Sequence, residues 1–211
     1  MDTILFLHGW GGDQNSFSNI MPYLQRTHRC LSISMPTVPS DVWQLEDYAL
    51  MVEKFLDDAR VEQCHIIAHS FGARVAVLLV NRNPQRFKKL VLTGAAGIRK
   101  KLSLYRRFRI WLHKRGIWKS LGSPDYQNLS RIGKLTFQNI VNRDLSRDIT
   151  KISHPTLLVF GKRDKSTPVW MGKRWARLSP NAKLLIYKNS GHFAYLDEPS
   201  RFLVDTTNSL S

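Results

Sequence analysis

The chain has 211 residues, 43% of them hydrophobic and 23% charged, a balance typical of one globular domain rather than a disordered chain. It carries 32 Lys and Arg against 16 Asp and Glu, which gives a formal net charge of +16. Its longest apolar runs, such as residues 4–7 and 75–80, have only the length of a strand, which argues against a transmembrane helix.

The N-terminus and the two cysteines bear on the cellular compartment. Residues 1–3 carry no basic stretch or cleavage site of a signal peptide. Cys30 and Cys64 each open a predicted strand, where thiols are more often inert core residues than disulfide partners or metal ligands. No closely spaced His and Cys cluster forms a metal motif. We therefore predict a cytoplasmic protein that needs no metal ion.

Strands and helices alternate through most of the chain. Continuous apolar runs that end at glycine, proline or a polar pair predict strands at 3–7, 30–35, 63–68, 89–93, 156–160 and 183–187. Amphipathic spacing predicts helices at 15–26, 45–59, 71–81, 169–178 and 200–208. This order favours right-handed βαβ units around a parallel sheet, with ligands beyond the carboxyl ends of the strands.

Residues 98–150 interrupt the alternation. Apolar residues recur there at helical spacing, and the segment holds 13 basic and three acidic residues, a net charge of +10. We predict a basic, mostly helical insertion over the sheet edge, with residues 1–97 and 151–211 forming the core of a single domain.

A candidate nucleophile stands where the third strand passes into the third helix. An apolar run ends at His69 and Ser70, and a small-residue helix starts at once, so the chain must bend sharply with the serine at the apex. This arrangement is typical of the nucleophile elbow G-x-S-x-G, with Ala68 in place of the first glycine. The alternative for these residues alone is a helix with an ordinary serine N-cap.

The glycines at 9–12 follow the first strand. A dinucleotide loop of the form G-x-G-x-x-G would need glycine where Gln14 stands, and no acidic residue closes the second strand. The loop instead offers backbone N–H groups that could hold an oxyanion. His8 adjoins this loop, and we expect it to shape the loop.

His192 is the candidate base for Ser70. A serine hydroxyl needs a base to accept its proton, and His192 follows the last strand in a turn that Gly191 permits. The other histidines lie at strand starts, on surfaces or, for His69, on the alternate face of the strand.

The imidazole in turn needs a carboxylate on its other nitrogen. Two strand ends could supply one: the strand at 89–93 is followed by no acid, whereas the strand at 156–160 is followed by Asp164. Asp197 and Glu198 are rival acids, but they begin the last helix and fit the charges of a helix N-terminus. The order Ser70, Asp164, His192 is the one expected of α/β-hydrolases.

With these motifs the chain resembles the α/β-hydrolase superfamily, in the branch of small esterases, C–C hydrolases and perhydrolases with an H-G-x-G loop. The matching motifs are H-G-W-G at 8–11, A-H-S-F-G at 68–72, G-K-R-D at 161–164 and G-H-F at 191–193. The resemblance implies an oxyanion hole formed by the N–H groups of Trp10 and Phe71, and a cap formed by the insertion. Because the chain starts directly on the H-G strand, we expect a minimal, mostly parallel sheet of about six strands with helices on both faces.

We expect four residues to border the substrate pocket: His8, Gly9, Trp111 and Phe193. The basic run from Arg99 to Lys119 has nine Lys or Arg and no acid. It fits a solvated face that roofs the pocket, a docking surface for an acidic acyl carrier protein, or a helix on an anionic membrane surface. Carrier-protein docking is known for carrier-protein methyl ester esterases of the family, which share the H-G-W-G loop. Nucleic acid fits less well because no recognition motif accompanies the charge.

These features predict a serine esterase that hydrolyses a small-molecule carboxylic ester through an acyl-enzyme, with no cofactor. A thioesterase or a C–C bond hydrolase could use the same Ser-His-Asp triad. A non-catalytic binding protein that uses the basic cap to dock a partner is the alternative from another class. The natural substrate and the oligomeric state are left open by the sequence.

Overall fold

The computed structural model describes residues 1–99 and 129–211. Six parallel strands form one sheet in the order β2-β1-β3-β4-β5-β6. Their bounds are β1 Thr3–Leu7, β2 Arg29–Ile33, β3 Cys64–His69, β4 Phe87–Thr93, β5 Thr156–Gly161 and β6 Ala182–Tyr187. The prediction of an α/β-hydrolase sheet of six strands is confirmed.

Helices cover both faces of the sheet. Their bounds are α1 Met21–Leu24, α2 Leu45–Asp58, α3 Phe71–Arg82, α4 Arg131–Asn142, α5 Ser146–Ile149, α6 Val169–Leu178, α7 Ala194–Asp197 and α8 Pro199–Leu210, with a 3₁₀ turn at Pro84–Arg86. Successive β1 residues alternate between the two layers: Leu5 and Leu7 belong to one buried cluster with residues of α2, α3 and α6, whereas Ile4 and Phe6 belong to another with residues of α1 and α8. Both faces of the central strands are therefore buried, which explains their continuous apolar sequence.

The helix predicted at 15–26 is mostly wrong. Only Met21–Leu24 is helical, and residues 14–20 form consecutive turns. The Asp13 side chain favours a turn over a helix here, because its carboxylate accepts a hydrogen bond from the backbone N–H of Asn15 at 2.8 Å. Phe17 and Ile20 are nevertheless fully buried. The apolar spacing therefore identified buried side chains but not the backbone that carries them.

The predicted insertion at 98–150 is described only in part. Residues 129–150 contain α4 and α5, and Arg74 of α3 binds α4 by donating from Nη1 to the carbonyls of Ile140 at 2.8 Å and Arg143 at 2.9 Å. Residues 100–128, which include Trp111 and most of the basic run, lie outside the described residues. The role of 98–150 as a cap therefore stays a prediction.

Both cysteines are free thiols. Cys64 is buried in β3 and Cys30 is partly buried in β2, and burial raises the pKa of their thiols to about 12 and about 11, respectively. Such thiols stay protonated and unreactive at neutral pH. Every helix within 1–99 and 129–211 is too short or too polar to cross a bilayer.

Candidate active site

Ser70 lies at a strained turn between β3 and α3. Its backbone has φ 48° and ψ −102°, a conformation that side-chain-bearing residues rarely adopt. The N–H of Ser70 donates to the carbonyl of Thr93 at 3.0 Å, which fixes the turn to the neighbouring strand. A β-carbon on Gly72 would lie 2.2 Å from the carbonyl oxygen of Leu7, so the helix can begin here only with glycine at that position. The sharp bend that the sequence pattern predicts is therefore present.

The side chains of Ser70, His192 and Asp164 form one hydrogen-bonded line. Nε2 of His192 lies 3.1 Å from Oγ of Ser70, and Nδ1 of His192 lies 2.7 Å from Oδ2 of Asp164. The three residues follow β3, β6 and β5, so the parallel topology brings three distant sequence segments to one edge of the sheet. With Nδ1–H donating to the carboxylate, Nε2 is free to accept the serine proton.

Asp164 is held as a carboxylate. Its side chain is fully buried, and Oδ1 accepts hydrogen bonds from the backbone N–H groups of Ser166 at 2.7 Å and Thr167 at 2.9 Å. Burial raises the pKa of this carboxyl, but hydrogen bonds from His192 and Thr167 outweigh burial and hold the pKa below its usual value. An ionised Asp164 fixes the tautomer and the orientation of His192.

Thr167 is a site residue that the sequence analysis did not identify. Its hydroxyl lies 2.7 Å from Oδ2 of Asp164, 3.0 Å from the carbonyl of Gly94 and 3.3 Å from Nδ1 of His192. It therefore joins the carboxylate to the end of β4. A threonine three residues after the acid is a signal for such a contact, because short Asp-to-Thr spacing favours local hydrogen bonding.

The two rival acids hold the loop that carries His192. Asp197 accepts a hydrogen bond from the N–H of Gly191 at 2.7 Å, and Glu198 accepts one from Oγ of Ser190 at 2.7 Å. Neither carboxylate contacts the His192 ring. Asp197 and Glu198 thus position the backbone before the histidine and leave its ring to Asp164.

His8 supports the glycine loop from behind. Its Nε2 accepts the N–H of Met35 at 2.8 Å, so the ring proton sits on Nδ1, which donates to the carbonyl of Gly9 at 2.7 Å. Burial lowers the pKa of His8, which keeps the ring neutral as this pattern requires. His8 is absent from the described walls of the two cavities next to Ser70, which are defined below, and its place in the substrate pocket stays a prediction.

Trp10 and Phe71 flank Ser70 from two different elements. Their rings pack edge to face at 5.4 Å, which holds the glycine loop against the start of α3. Within the described part of the chain, neither backbone N–H donates to a protein acceptor. Unpaired N–H groups beside a nucleophile are what an oxyanion hole requires.

His69 lies against the active-site histidine. The two ring centroids are 4.6 Å apart, and Nδ1 of His69 lies 3.1 Å from the carbonyl of Thr93. Burial lowers the pKa of His69 to about 3, and the charge of His192 acts in the same direction. His69 is therefore a neutral packing surface for His192, a contact that its alternate position in the strand did not predict.

Two cavities meet at Ser70. The first, which we call the α4 cavity, has a volume of about 520 Å³ and lies between the elbow and α4, with Phe71, Ile140 and Met171 in its wall. The second, which we call the loop cavity, has a volume of about 490 Å³ and is lined by Gly9–Gly12, His192 and Phe193, among others. Gly9 and Phe193 border the loop cavity, and their role in binding a substrate stays a prediction. No group of three His, Cys, Asp or Glu residues in 1–99 and 129–211 is arranged to hold a metal ion.

Comparisons with known proteins agree with this fold. A family model described as the alpha/beta hydrolase fold matches residues 2–118, and a model described as a TAP-like protein matches residues 136–208. The chain is similar to the uncharacterized hydrolase YugF of Bacillus subtilis, with 21% identity over 93% of this chain and 85% of that protein. It is 26% identical to a 2-hydroxy-6-oxononadienedioate/2-hydroxy-6-oxononatrienedioate hydrolase of Cupriavidus pinatubonensis, over 95% of this chain and 84% of that protein.

Solved structures show the same architecture. A bacterial membrane phospholipase A superposes with a TM-score of 0.81 and 20% identity, covering 99% of this chain and 78% of that one. At this identity the likeness concerns the fold alone. The first family model spans more than half of the sequence, and the six-stranded sheet matches it. The chain belongs to the α/β-hydrolase fold family.

Proposed function

We propose that this protein is a serine hydrolase that cleaves carboxylic esters. The observation that carries the proposal is the continuous path from Oγ of Ser70, through the His192 ring, to the buried carboxylate of Asp164. Each contact has the length of a hydrogen bond, and the tautomer it requires is the one that accepts a proton from serine.

The reaction follows from this geometry. Oγ of Ser70 bonds to the ester carbonyl carbon while its proton moves to Nε2 of His192, and the carbonyl oxygen becomes an oxyanion held by the N–H groups of Trp10 and Phe71. The bond to the alcohol oxygen then breaks, and His192 gives its proton to that oxygen. Water next attacks the acyl-enzyme with His192 as base, releasing the acid and restoring Ser70. One water is consumed for each ester cleaved.

Cleavage of a carbon–carbon bond is a second candidate, because one relative is named a hydrolase of 2-hydroxy-6-oxononadienedioate. That compound contains no ester bond, so its hydrolysis breaks a bond between carbons. The same serine, histidine and oxyanion donors could serve this reaction. A dienol keto acid assayed beside a simple ester separates the two functions: faster turnover of the keto acid would replace the ester proposal.

The direct test measures hydrolysis of short-chain nitrophenyl esters by the wild type and by Ser70→Ala. We expect Ser70→Ala to lose at least about 1,000-fold in kcat/KM, since Ser70 supplies the hydroxyl that Nε2 of His192 contacts. A fluorophosphonate probe should label the wild type and leave Ser70→Ala unlabelled. Ser40→Ala, which removes an exposed hydroxyl in the loop after β2, is the matched control and should keep wild-type rates and labelling.

Two results would reject an enzyme that uses Ser70. One is equal ester turnover by wild type and Ser70→Ala. The other is an inactive wild type that takes up no fluorophosphonate, which would instead support a binding protein built on the same fold.

A further inference from the structure

The two cavities at Ser70 differ in whether His192, the proposed base, lines them. His192 lines the loop cavity and does not line the α4 cavity. Among the described residues, four border both spaces: Trp10, Ser70, Phe137 and Ser166. A substrate whose carbonyl carbon sits at Ser70 can therefore extend one arm into each cavity.

The position of His192 indicates which cavity holds the leaving group and which holds the acyl group. The histidine must give its proton to the departing oxygen, so the leaving group lies on the side that His192 lines. That side is the loop cavity, with walls of glycine backbone and of aromatic rings such as Phe193 and Tyr195. The acyl group then occupies the α4 cavity.

Three cations are among the described residues that border the α4 cavity. Arg74, Arg99 and Lys165 line it, and no Asp or Glu is among the described residues of its wall. Arg99 and Lys165 have exposed side chains that make no ion pair with the described residues. The loop cavity, by contrast, has no Lys or Arg among its described lining residues. Among the described lining residues, positive charge therefore lies only on the side assigned to the acyl group.

Arg74 is the buried member of this set. It is only 6% exposed, and its Nη1 donates to two carbonyls at the end of α4, but its guanidinium forms no ion pair within the described part of the chain. The nearby Asp144 instead accepts hydrogen bonds from the backbone N–H groups of Arg99 and Ser146. Burial lowers the pKa of Arg74 to about 10, so the group is still charged at neutral pH. A buried cation without a carboxylate partner costs free energy that a bound anion would offset.

We propose that the acyl group of the substrate ends in a carboxylate, which binds in the α4 cavity against Arg74, Arg99 and Lys165, while a small alcohol leaves through the loop cavity. This inference rests on the proposed ester hydrolysis. The substrate class is the half-ester of a dicarboxylic acid, and its products are the dicarboxylate and the alcohol.

The test compares two methyl esters that differ only at the far end of the acyl chain, monomethyl adipate and methyl hexanoate. We expect the wild type to prefer monomethyl adipate, measured as the ratio of the two kcat/KM values. Lys165→Gln and Arg99→Gln should each lower this ratio about threefold, since both cations are exposed, and Arg74→Met should lower it at least about tenfold. Lys173→Gln removes the same charge from an exposed site on α6 that does not line the cavity, and its ratio should stay at the wild-type value.

Arg74 also holds the end of α4, so its substitution could act through the protein structure alone. In that case Arg74→Met would slow both esters equally, and Arg99→Gln and Lys165→Gln would leave the ratio unchanged. That pattern would overturn the proposal. So would a wild type that turns over methyl hexanoate at least as well as monomethyl adipate.

Binding to Ser70→Ala protein gives a readout that needs no turnover. Calorimetry should show tighter binding of monomethyl adipate than of methyl hexanoate, and 0.5 M salt should weaken only the former, to a Kd roughly threefold higher or more. Equal affinity for the two esters would refute the anionic acyl group. Failure of ester hydrolysis itself would show separately, as wild-type turnover that Ser70→Ala does not reduce.

Discussion

Gly94 lies beside His192 at the carboxyl edge of the sheet. A β-carbon on Gly94 would lie 3.1 Å from the carbonyl oxygen of His192 and 3.2 Å from its Nδ1. The Gly94 backbone is fixed there because its N–H donates to the carbonyl of Val159 and its carbonyl accepts the hydroxyl of Thr167. With φ +53°, this position also favours glycine for its backbone conformation. Because Gly94 has no side chain, the imidazole of His192 can occupy the space beside it.

Gly94→Ala should impair both catalysis and stability. The added methyl group would push the His192 ring out of line with Ser70, and we expect kcat/KM for a short-chain ester to fall at least about tenfold, as misplacement of a catalytic group does. The left-handed backbone conformation should cost about 1–2 kcal/mol in the free energy of unfolding. Ester kinetics and urea denaturation measure the two effects.

Gly11→Ala is the control for stability only, because Gly11 lines the loop cavity. Gly11 has φ +80°, but a β-carbon there would meet no heavy atom within 4 Å. Its free energy of unfolding should fall by a similar amount from the backbone conformation alone. If Gly94→Ala retained wild-type kcat/KM despite its contact with His192, the contact would not limit the position of the ring.

Thr167→Val should lower kcat without loss of the fold. The substitution keeps the side-chain shape but removes the hydroxyl that contacts Asp164 and Gly94, so we expect kcat to fall by about three- to tenfold through a misaligned carboxylate. Thr206→Val is the matched control, since the Thr206 hydroxyl is buried and has no hydrogen-bond partner among the described residues. Its kcat should equal that of the wild type. If the kcat of Thr167→Val equalled that of Thr206→Val, the Thr167 hydroxyl would have no role in aligning Asp164 for catalysis.

The pH dependence of stability should report the carboxylate of Asp164. Because its pKa is lower in the folded protein than the usual value near 3.8, the group contributes stability above that value. This contribution is lost as pH falls through the lower pKa of the folded state. Asp164→Asn should therefore flatten the curve of unfolding free energy against pH between about pH 5 and about pH 2. Urea titrations across that range test this, and parallel curves for the two proteins would contradict it.

Catalysis should depend on His192 as the base for Ser70. General base catalysis by an imidazole needs the neutral ring, so kcat/KM should fall as the buffer is made acidic. Burial lowers the pKa of His8 and of His69, which favours the neutral ring at both positions. A pH–rate profile measures the fall, and a rate that does not change between neutral and acidic buffer would argue against His192 as base.

The structural features that could best be predicted from the sequence are those set by local chemistry. The alternation of apolar runs and amphipathic stretches predicted all six strands, because strands buried on both faces must be apolar throughout. The bend at Ser70 was visible because a strand that becomes a helix within two residues needs small side chains around it. The turns at 14–20 were missed because the spacing of Phe17 and Ile20 fits a helix and a buried turn alike.

The carboxylate network was predictable only in outline. Asp164 could be chosen because one strand end had an acid and the other had none. Its hydroxyl partner Thr167 was not predicted, and neither were the loop contacts of Asp197 and Glu198. Sequence position shows which acids are near a strand end, but the path of each loop decides which atoms they meet.

The sequence by itself determined the fold family, the order of the site residues and the edge of the sheet on which they lie. The reason is that apolar runs predict where the strands occur along the chain and where each one ends. Tertiary structure alone decided that His8 stands behind the loop, that His69 packs on His192, and that Arg74 faces a cavity opposite the base. These relations join residues on different elements, and their distances depend on how the helices and loops pack on the sheet. That packing places Arg74 at the α4 cavity, the cavity assigned to the acyl group of the substrate.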